Sequence, residues 1–196
     1  LGDLPCFPIF NQNQVNVNYS KEKLIKLFES GENIKFLFFW RHQKYDSVTK
    51  SCFSQWYESS FEVDGVSYQN AEQFMMAQKA LLFKDFEIYN QIISNSKPGK
   101  VKELGRQVRN FDQQVWEENR FDIVVQGNYH KFSQNKELST FLINTKDRIL
   151  VEASPVDTIW GIGLAQDDER ALNPNLWKGQ NLLGFALMEV RDKIQE

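Results

Sequence analysis

Cysteine and histidine are scarce in this chain of 196 residues, with two of each. Two cysteines do not make a disulfide framework, and the setting they imply is a reducing cytosol. His42 and His130 belong to no H-E-x-x-H or C-x-x-C pattern, so no metal site is expected. Long apolar runs are also missing. The longest, Ile34 to Trp40, is interrupted by Lys35 and falls far short of the roughly 20 residues that span a bilayer. The opening residues show no signal-peptide pattern, so a cytoplasmic location without a membrane partner is expected. Charge of one sign is lacking too. The chain has 23 Lys and Arg against 26 Asp and Glu, a net −3, which argues against a general nucleic-acid coat. No G-x-S-x-G elbow supports a serine nucleophile. Gln166 stands where a G-x-G-x-x-G run from Gly161 needs its third glycine, so no dinucleotide cofactor is expected.

What is present is ordinary globular composition with generous aromatics, 16 Phe and 5 Trp. The length fits one domain of roughly 100–200 residues. Residues 1–19 read as an arm or short strand. Ser20 caps a helix through Ser30 with Leu24, Leu27 and Phe28 on one face, and Gly31 ends it. Ile34 to Trp40 reads as a buried strand, and Arg41 to Ser51 as a surface loop. Phe61 to Tyr68 is a hairpin around Asp64-Gly65. Asn70 starts a helix through Phe83, with Gln73 as capping-box partner. Asp85 caps a short helix through Ile93. Helical patterns follow at 112–130 and 136–144, a strand at Arg148 to Ala153, an irregular stretch at 154–178, and a final helix capped by Asn181. The expected fold is mainly α: one compact helical domain with a few short β-strands. Residues 1–33 form an N-terminal arm and helix, and 34–196 the domain proper.

Four constellations carry chemistry. On the helix after Asn70, Glu72 and Lys79 are seven residues apart and so within about 20° of one azimuth, with Met76 between them. The bland reading is a pair of solvated surface charges. In Ser154 to Gly163, Asp157 precedes Trp160-Gly161 by three residues. Trp supplies a flat wall and Gly lets backbone approach a ligand, or else the segment is an Asx-turn under a core Trp. Cys52 to Tyr57 sets Ser54 and Gln55 among aromatics, suited to a ribose or base, or simply half-buried. Residues 97–109 hold Lys97, Lys100, Lys102, Arg106 and Arg109 against Glu103 alone. That is 5 − 1 = +4 locally and −3 − 4 = −7 elsewhere, a phosphate-binding stretch or a solvated face.

These segments, in order, resemble the NADAR (YbiA-like) family. The resemblance is carried by Cys52-Phe53-Ser54-Gln55-Trp56, by Phe61 to Tyr68, and by Ala71-Glu72-Gln73 through Gln78-Lys79-Ala80. It continues through Leu104-Gly105-Arg106, Lys131-Phe132 and Leu150-Val151-Glu152-Ala153-Ser154 with Asp157 and Trp160-Gly161-Ile162-Gly163. The segments Trp177 to Gly184 and Leu187 to Arg191 complete it. It covers roughly residues 34–194. Gln55 and Trp56 depart from the Asn and Phe common in the family.

The resemblance implies an N-glycosidase with a mainly helical fold. Its substrate is a ribose that carries phosphate and is attached to nitrogen. One form is ADP-ribose on guanine in DNA or RNA, and another is a phosphorylated early riboflavin intermediate. Breaking the C–N bond builds positive charge on the ribose, which carboxylates stabilise; Glu72 and Asp157 are the candidates. A lysine amine attacking C1 of an opened ribose would form a Schiff base. The resemblance points to a lysine adduct; Lys79 is the first candidate and Lys131 the second. Trp160 and Gly161 would wall the substrate, with Phe53 beside it. Arg41, Ser54 and Arg106 are phosphate or ribose contacts. A non-catalytic ADP-ribose-binding module is the alternative of another class.

Overall fold

The computed structural model describes residues 18–196. Cys6 and almost all of the expected arm lie outside them. Ser20 Oγ accepts from Lys23 N at 3.2 Å, capping helix α1, Lys21–Glu29. Only Leu24 of its apolar face is buried, while Leu27 is 43 % exposed. This end of the chain is tied to the last helix: Asn18 N donates to Glu189 Oε1 at 2.6 Å and Tyr19 Oη to Asp192 Oδ2 at 2.6 Å.

Strand β1, Phe36–Phe39, runs parallel to β4, Ile149–Glu152. The pairing places both carboxyl ends at one edge, and ligands of α/β sheets gather outside such ends. Between them come a short 3-10 turn at Lys50–Phe53 and the hairpin β2, Phe61–Val63, and β3, Val66–Tyr68. Asp64 and Gly65 take φ of 51° and 77°, the left-handed pair that a two-residue turn requires.

The helices follow as α2 Ala71–Leu82, α3 Phe86–Ile93, α4 Pro98–Arg106, α5 Gln113–Ser133, α6 Lys136–Ile143 and, after β4, α7 Leu182–Gln195. The mainly α fold expected from the sequence is what the structure shows. Helix α2 is its centre, buried continuously from Ala71 to Ala77 and packed on α3, α4 and α5. Two glycines allow those crossings. A Cβ at Gly105 of α4 would overlap the Met76 sulfur, and one at Gly127 of α5 would lie 2.6 Å from the Phe74 ring.

Local chemistry explains the start of α2. Asn70 Oδ1 accepts from Gln73 N at 2.9 Å. The Gln73 side chain returns its bond to Gln69 N at 2.7 Å, one residue earlier than a standard capping box. Asp85 caps α3 through Ile88 N and also receives the Arg109 guanidinium. That pairing holds the Asp85 carboxyl well below the usual range and gives one cation of the 97–109 stretch a structural partner.

Asn181 differs from expectation. It has a left-handed backbone at φ 57° and makes no side-chain cap to α7. Its amide instead donates to Leu150 O and accepts from Glu152 N, both at 2.9 Å. The residue that starts α7 is therefore a clamp on β4. Asn181→Ala removes both bonds and leaves buried backbone groups unpaired, so about 2–4 kcal/mol of unfolding free energy is expected to be lost. Urea unfolding measures it, and a change under about 1 kcal/mol would contradict the clamp.

Candidate active site

The carboxyl ends of β1 and β4, the Ser54–Trp56 segment, α2 and α4 enclose a cavity of about 750 Å³. Glu72, Met76 and Lys79 all line it, so one face of α2 is turned into the cavity. The surface-charge reading of this face does not hold: Glu72 is only 4 % exposed. The Trp56 side chain donates to its carboxylate, and its backbone N–H donates to Gln55 O at 2.9 Å. Burial pushes the Glu72 carboxyl up to about 7. The Asp157 charge adds to that rise, while Lys102, the Trp56 bond and Arg106 oppose it.

Asp157 lines the same cavity and closes an Asx-turn, its Oδ1 accepting from Ile159 N at 2.9 Å and Trp160 N at 2.8 Å. The two readings of this segment are therefore compatible. The turn that orders the loop also sets Asp157 and the half-buried Trp160 on the cavity wall.

Lys79 donates to Gly105 O at 2.9 Å, with its Nζ 4.3 Å from the Phe111 ring centroid and 5.5 Å from that of Trp116. Burial lowers its pKa. Arg41 lines the mouth at φ 68°, its guanidinium 5.2 Å from the Trp40 ring. A left-handed backbone costs a non-glycine residue about 1–2 kcal/mol, and here the strained residue is the one that turns the chain at the cavity edge after β1. Ser54 and Arg106 also line the cavity.

Three sequence candidates lie elsewhere. Phe53 is 0 % exposed, its ring 5.4 Å from Phe39, 5.5 Å from Phe141 and 6.1 Å from Phe132; it is core and does not face a ligand. Lys131 is fully buried outside the cavity lining. Its Nζ donates to Cys52 O at 2.6 Å and Ser54 O at 2.9 Å. It fastens the Cys52–Ser54 backbone from behind, and burial pushes its pKa down to about 8. Gly161 is absent from the lining. A Cβ there would lie 2.8 Å from Glu152 O, and the neighbouring Ile162 N bonds that same oxygen at 3.0 Å. Its role is close packing behind the wall.

Two lining residues are not singled out by the sequence: Lys102 enters only as one cation of the basic stretch, and Glu152 only as part of a matching segment. Lys102, four residues from Arg106 on α4, lies with its Nζ 5.8 Å from the Trp56 ring. The i, i+4 spacing that aligns the two cations was the available signal. Glu152 ends β4, and a glutamate at a strand end ordinarily reads as solvated. Its carboxyl is pushed up to about 8 by burial, then by the charges of Asp157 and Glu72, against Lys102. Its Oε2 is shielded from solvent and has no hydrogen-bond partner. Among the described residues no three His, Cys, Asp or Glu side chains are gathered to hold a metal ion. None of the described helices is long and apolar enough to cross a membrane.

The cavity is thus two-signed, lined by the carboxylates of Glu72, Glu152 and Asp157 and by the cations Arg41, Lys79, Lys102 and Arg106. Comparison with known proteins identifies the family of the chain. The NADAR domain model matches residues 38–195. The chain belongs to the NADAR domain family. Among NADAR relatives, N-glycosidase R617 of Acanthamoeba polyphaga mimivirus is 44 % identical over 170 residues, covering 84 % of this chain and 99 % of that protein. Protein irg-1 of Caenorhabditis elegans is 36 % identical over 72 % of this chain and 74 % of its own length. The NMR structure of Escherichia coli YbiA superposes with a TM-score of 0.67 at 26 % identity, over 84 % of this chain and 87 % of that one. The seven helices and two short sheets described for this NADAR chain accord with that neighbour.

Proposed function

We propose that the chain is an N-glycosidase that hydrolyses the bond between C1 of a phosphorylated ribose and a nitrogen base. ADP-ribose linked to guanine is the favoured substrate. The observation that carries the proposal is the buried Glu72 carboxyl, its pKa pushed up to about 7, in a cavity it shares with Asp157 and with the cations Lys102, Arg106 and Arg41. The names of relatives, N-glycosidase R617 and N-glycosidase YbiA, support the same reaction class.

Cleaving the C–N bond leaves positive charge on the ribose. Glu72 and Asp157 face that charge and stabilise it, and Glu72 takes a proton from the attacking water. Lys102, Arg106 and Arg41 suit the phosphates, and Trp160 forms a flat wall for a ring. Lys79, with its pKa lowered by burial, offers a second route: its amine adds to the aldehyde of the opened ribose, and the Schiff base is then hydrolysed. Lys131 is set aside for this step because its amine is committed to two backbone carbonyls.

The test is incubation with ADP-ribosylated guanosine, with the same base in DNA and RNA, and with phosphorylated riboflavin intermediates, each with and without borohydride. Guanosine, or the unmodified nucleic acid, and ADP-ribose are the expected products. Mass spectrometry should find any reduced adduct on Lys79. An adduct on Lys102 or Lys131 would contradict the assignment of Lys79. Turnover of the riboflavin intermediates alone would replace the substrate and keep the reaction class.

A further inference from the structure

We propose that Glu152 is the general acid of this site, the residue that protonates the leaving base. The inference rests on the N-glycosidase reading and adds a role to a residue that reading leaves idle. Three carboxylates meet in the cavity wall, and their hydrogen bonding divides them. Glu72 accepts from the Trp56 side chain. Asp157 Oδ1 accepts two backbone N–H bonds. An oxygen engaged by N–H donors is poorly placed to give up a proton of its own. Glu152 alone has an oxygen that is shielded from water and has no partner. A buried carboxyl oxygen with no donor beside it is costly as a charged acceptor, which favours keeping a proton on Glu152, and the residue itself lines the cavity where the base must sit.

The backbone holds that atom still. Glu152 N is fixed by the Asn181 side chain at 2.9 Å, and Glu152 O accepts from Ile162 N at 3.0 Å. Around the carboxyl the charged neighbours are Asp157 on the following loop, Glu72 on α2 and Lys102 on α4. The first two are like charges, and carboxylates gathered in a site do not all ionise together. Burial and these neighbours keep a proton on Glu152 at neutral pH.

The proton count closes. Glu152 gives its proton to the base nitrogen as the C1–N electron pair leaves with that nitrogen. The water oxygen bonds to C1, and one water proton passes to Glu72. The proton on Glu72 returns to Glu152 through the shared wall or solvent, and the net change is one water added across the C–N bond.

An acid matters only where the leaving group needs protonation. The test compares guanine-linked ADP-ribose with 4-nitrophenyl ribofuranoside 5′-phosphate, whose nitrophenolate leaves unaided. Glu152→Gln is expected to lose about 10²–10³ in kcat on the guanine substrate and less than about tenfold on the nitrophenyl one, with its alkaline limb lost from the pH profile of the first. Equal losses on both substrates would show a merely structural residue and overturn the proposal, as would no loss on either. Wild-type protein that cleaves neither substrate would overturn the N-glycosidase reading itself, a distinct outcome. If the variant does not fold, wild-type pH profiles decide. An alkaline limb confined to the guanine substrate supports the acid, and the same limb on both contradicts it.

Discussion

Glu72→Gln is expected to lower kcat by about 10³, within the range that general acid–base groups supply, while raising the melting temperature at pH 8. The two effects share one cause. A carboxylate buried where the reaction needs it is a cost to the folded chain. Its folded pKa, about 7, lies above the ordinary glutamate value of 4.5, so between those values the folded state binds the proton more tightly than the unfolded one. Stability therefore falls as pH rises from about 4.5 through 7. Glutamine has the same shape, still occupies the place beside Trp56 and does not titrate. Relative to wild type the variant should gain roughly 3 kcal/mol at pH 8 and under about 1 kcal/mol at pH 5. Melting curves at the two pH values check this. A variant that melts lower than wild type at pH 8 would mean that the Glu72 carboxylate stabilises the fold, contrary to the account.

Lys131→Met should show the opposite pattern, a large loss of stability from a residue outside the cavity. The ammonium is fully buried and holds Cys52 O and Ser54 O. Methionine fills the space but offers no donor, so two carbonyls lose their partner. The expected cost is about 3 kcal/mol at pH 7. The difference from wild type should also grow with pH. Burial lowers the folded lysine pKa from 10.5 to about 8, so between these values the unfolded chain binds more protons and the wild type gains stability as pH rises. Urea unfolding at pH 7 and pH 9.5 measures both. A loss below about 1 kcal/mol would show that the amine is not the fastener described here.

The contrast shows which parts of this protein are legible in its sequence. The Asp64-Gly65 turn, the Asn70 and Asp85 caps and the α2 face that joins Glu72 to Lys79 all depend on neighbours within one or two helical turns. Their chemistry is written locally, and the structure shows each as expected. Phe53, Lys131 and Gly161 share segments with cavity residues, but a shared segment does not fix which way a side chain faces. Ser54 points to the cavity and its neighbour Phe53 to the core. Glu152 gains its environment only when β4 pairs with β1 and brings its end beside Glu72 and Asp157. Asn181 likewise is read as a cap until its partners on β4 are known. Burial and charge set by distant segments carry no local periodicity, and these are the residues that a reading of the sequence misplaces or misses.

The overall charge gains a sharper meaning from the site. Arg109 is committed to Asp85 and Lys100 pairs with Glu103, while Lys102 and Arg106 face the cavity. Two cations beside Arg41 can hold the phosphates of one nucleotide without the broad basic face of a general nucleic-acid binder.

The central claim is that this cavity breaks a C1–N bond with Glu72 as its base. Its most direct test is product analysis under single turnover, with wild type and Glu72→Gln each in excess over ADP-ribosylated guanosine. The account predicts that wild type releases guanosine and ADP-ribose, one water added across the bond, while Glu72→Gln binds the substrate and returns it intact. Tight binding of ADP-ribose by wild type with no base released from any N-glycoside would contradict it, and would make the chain a binding module.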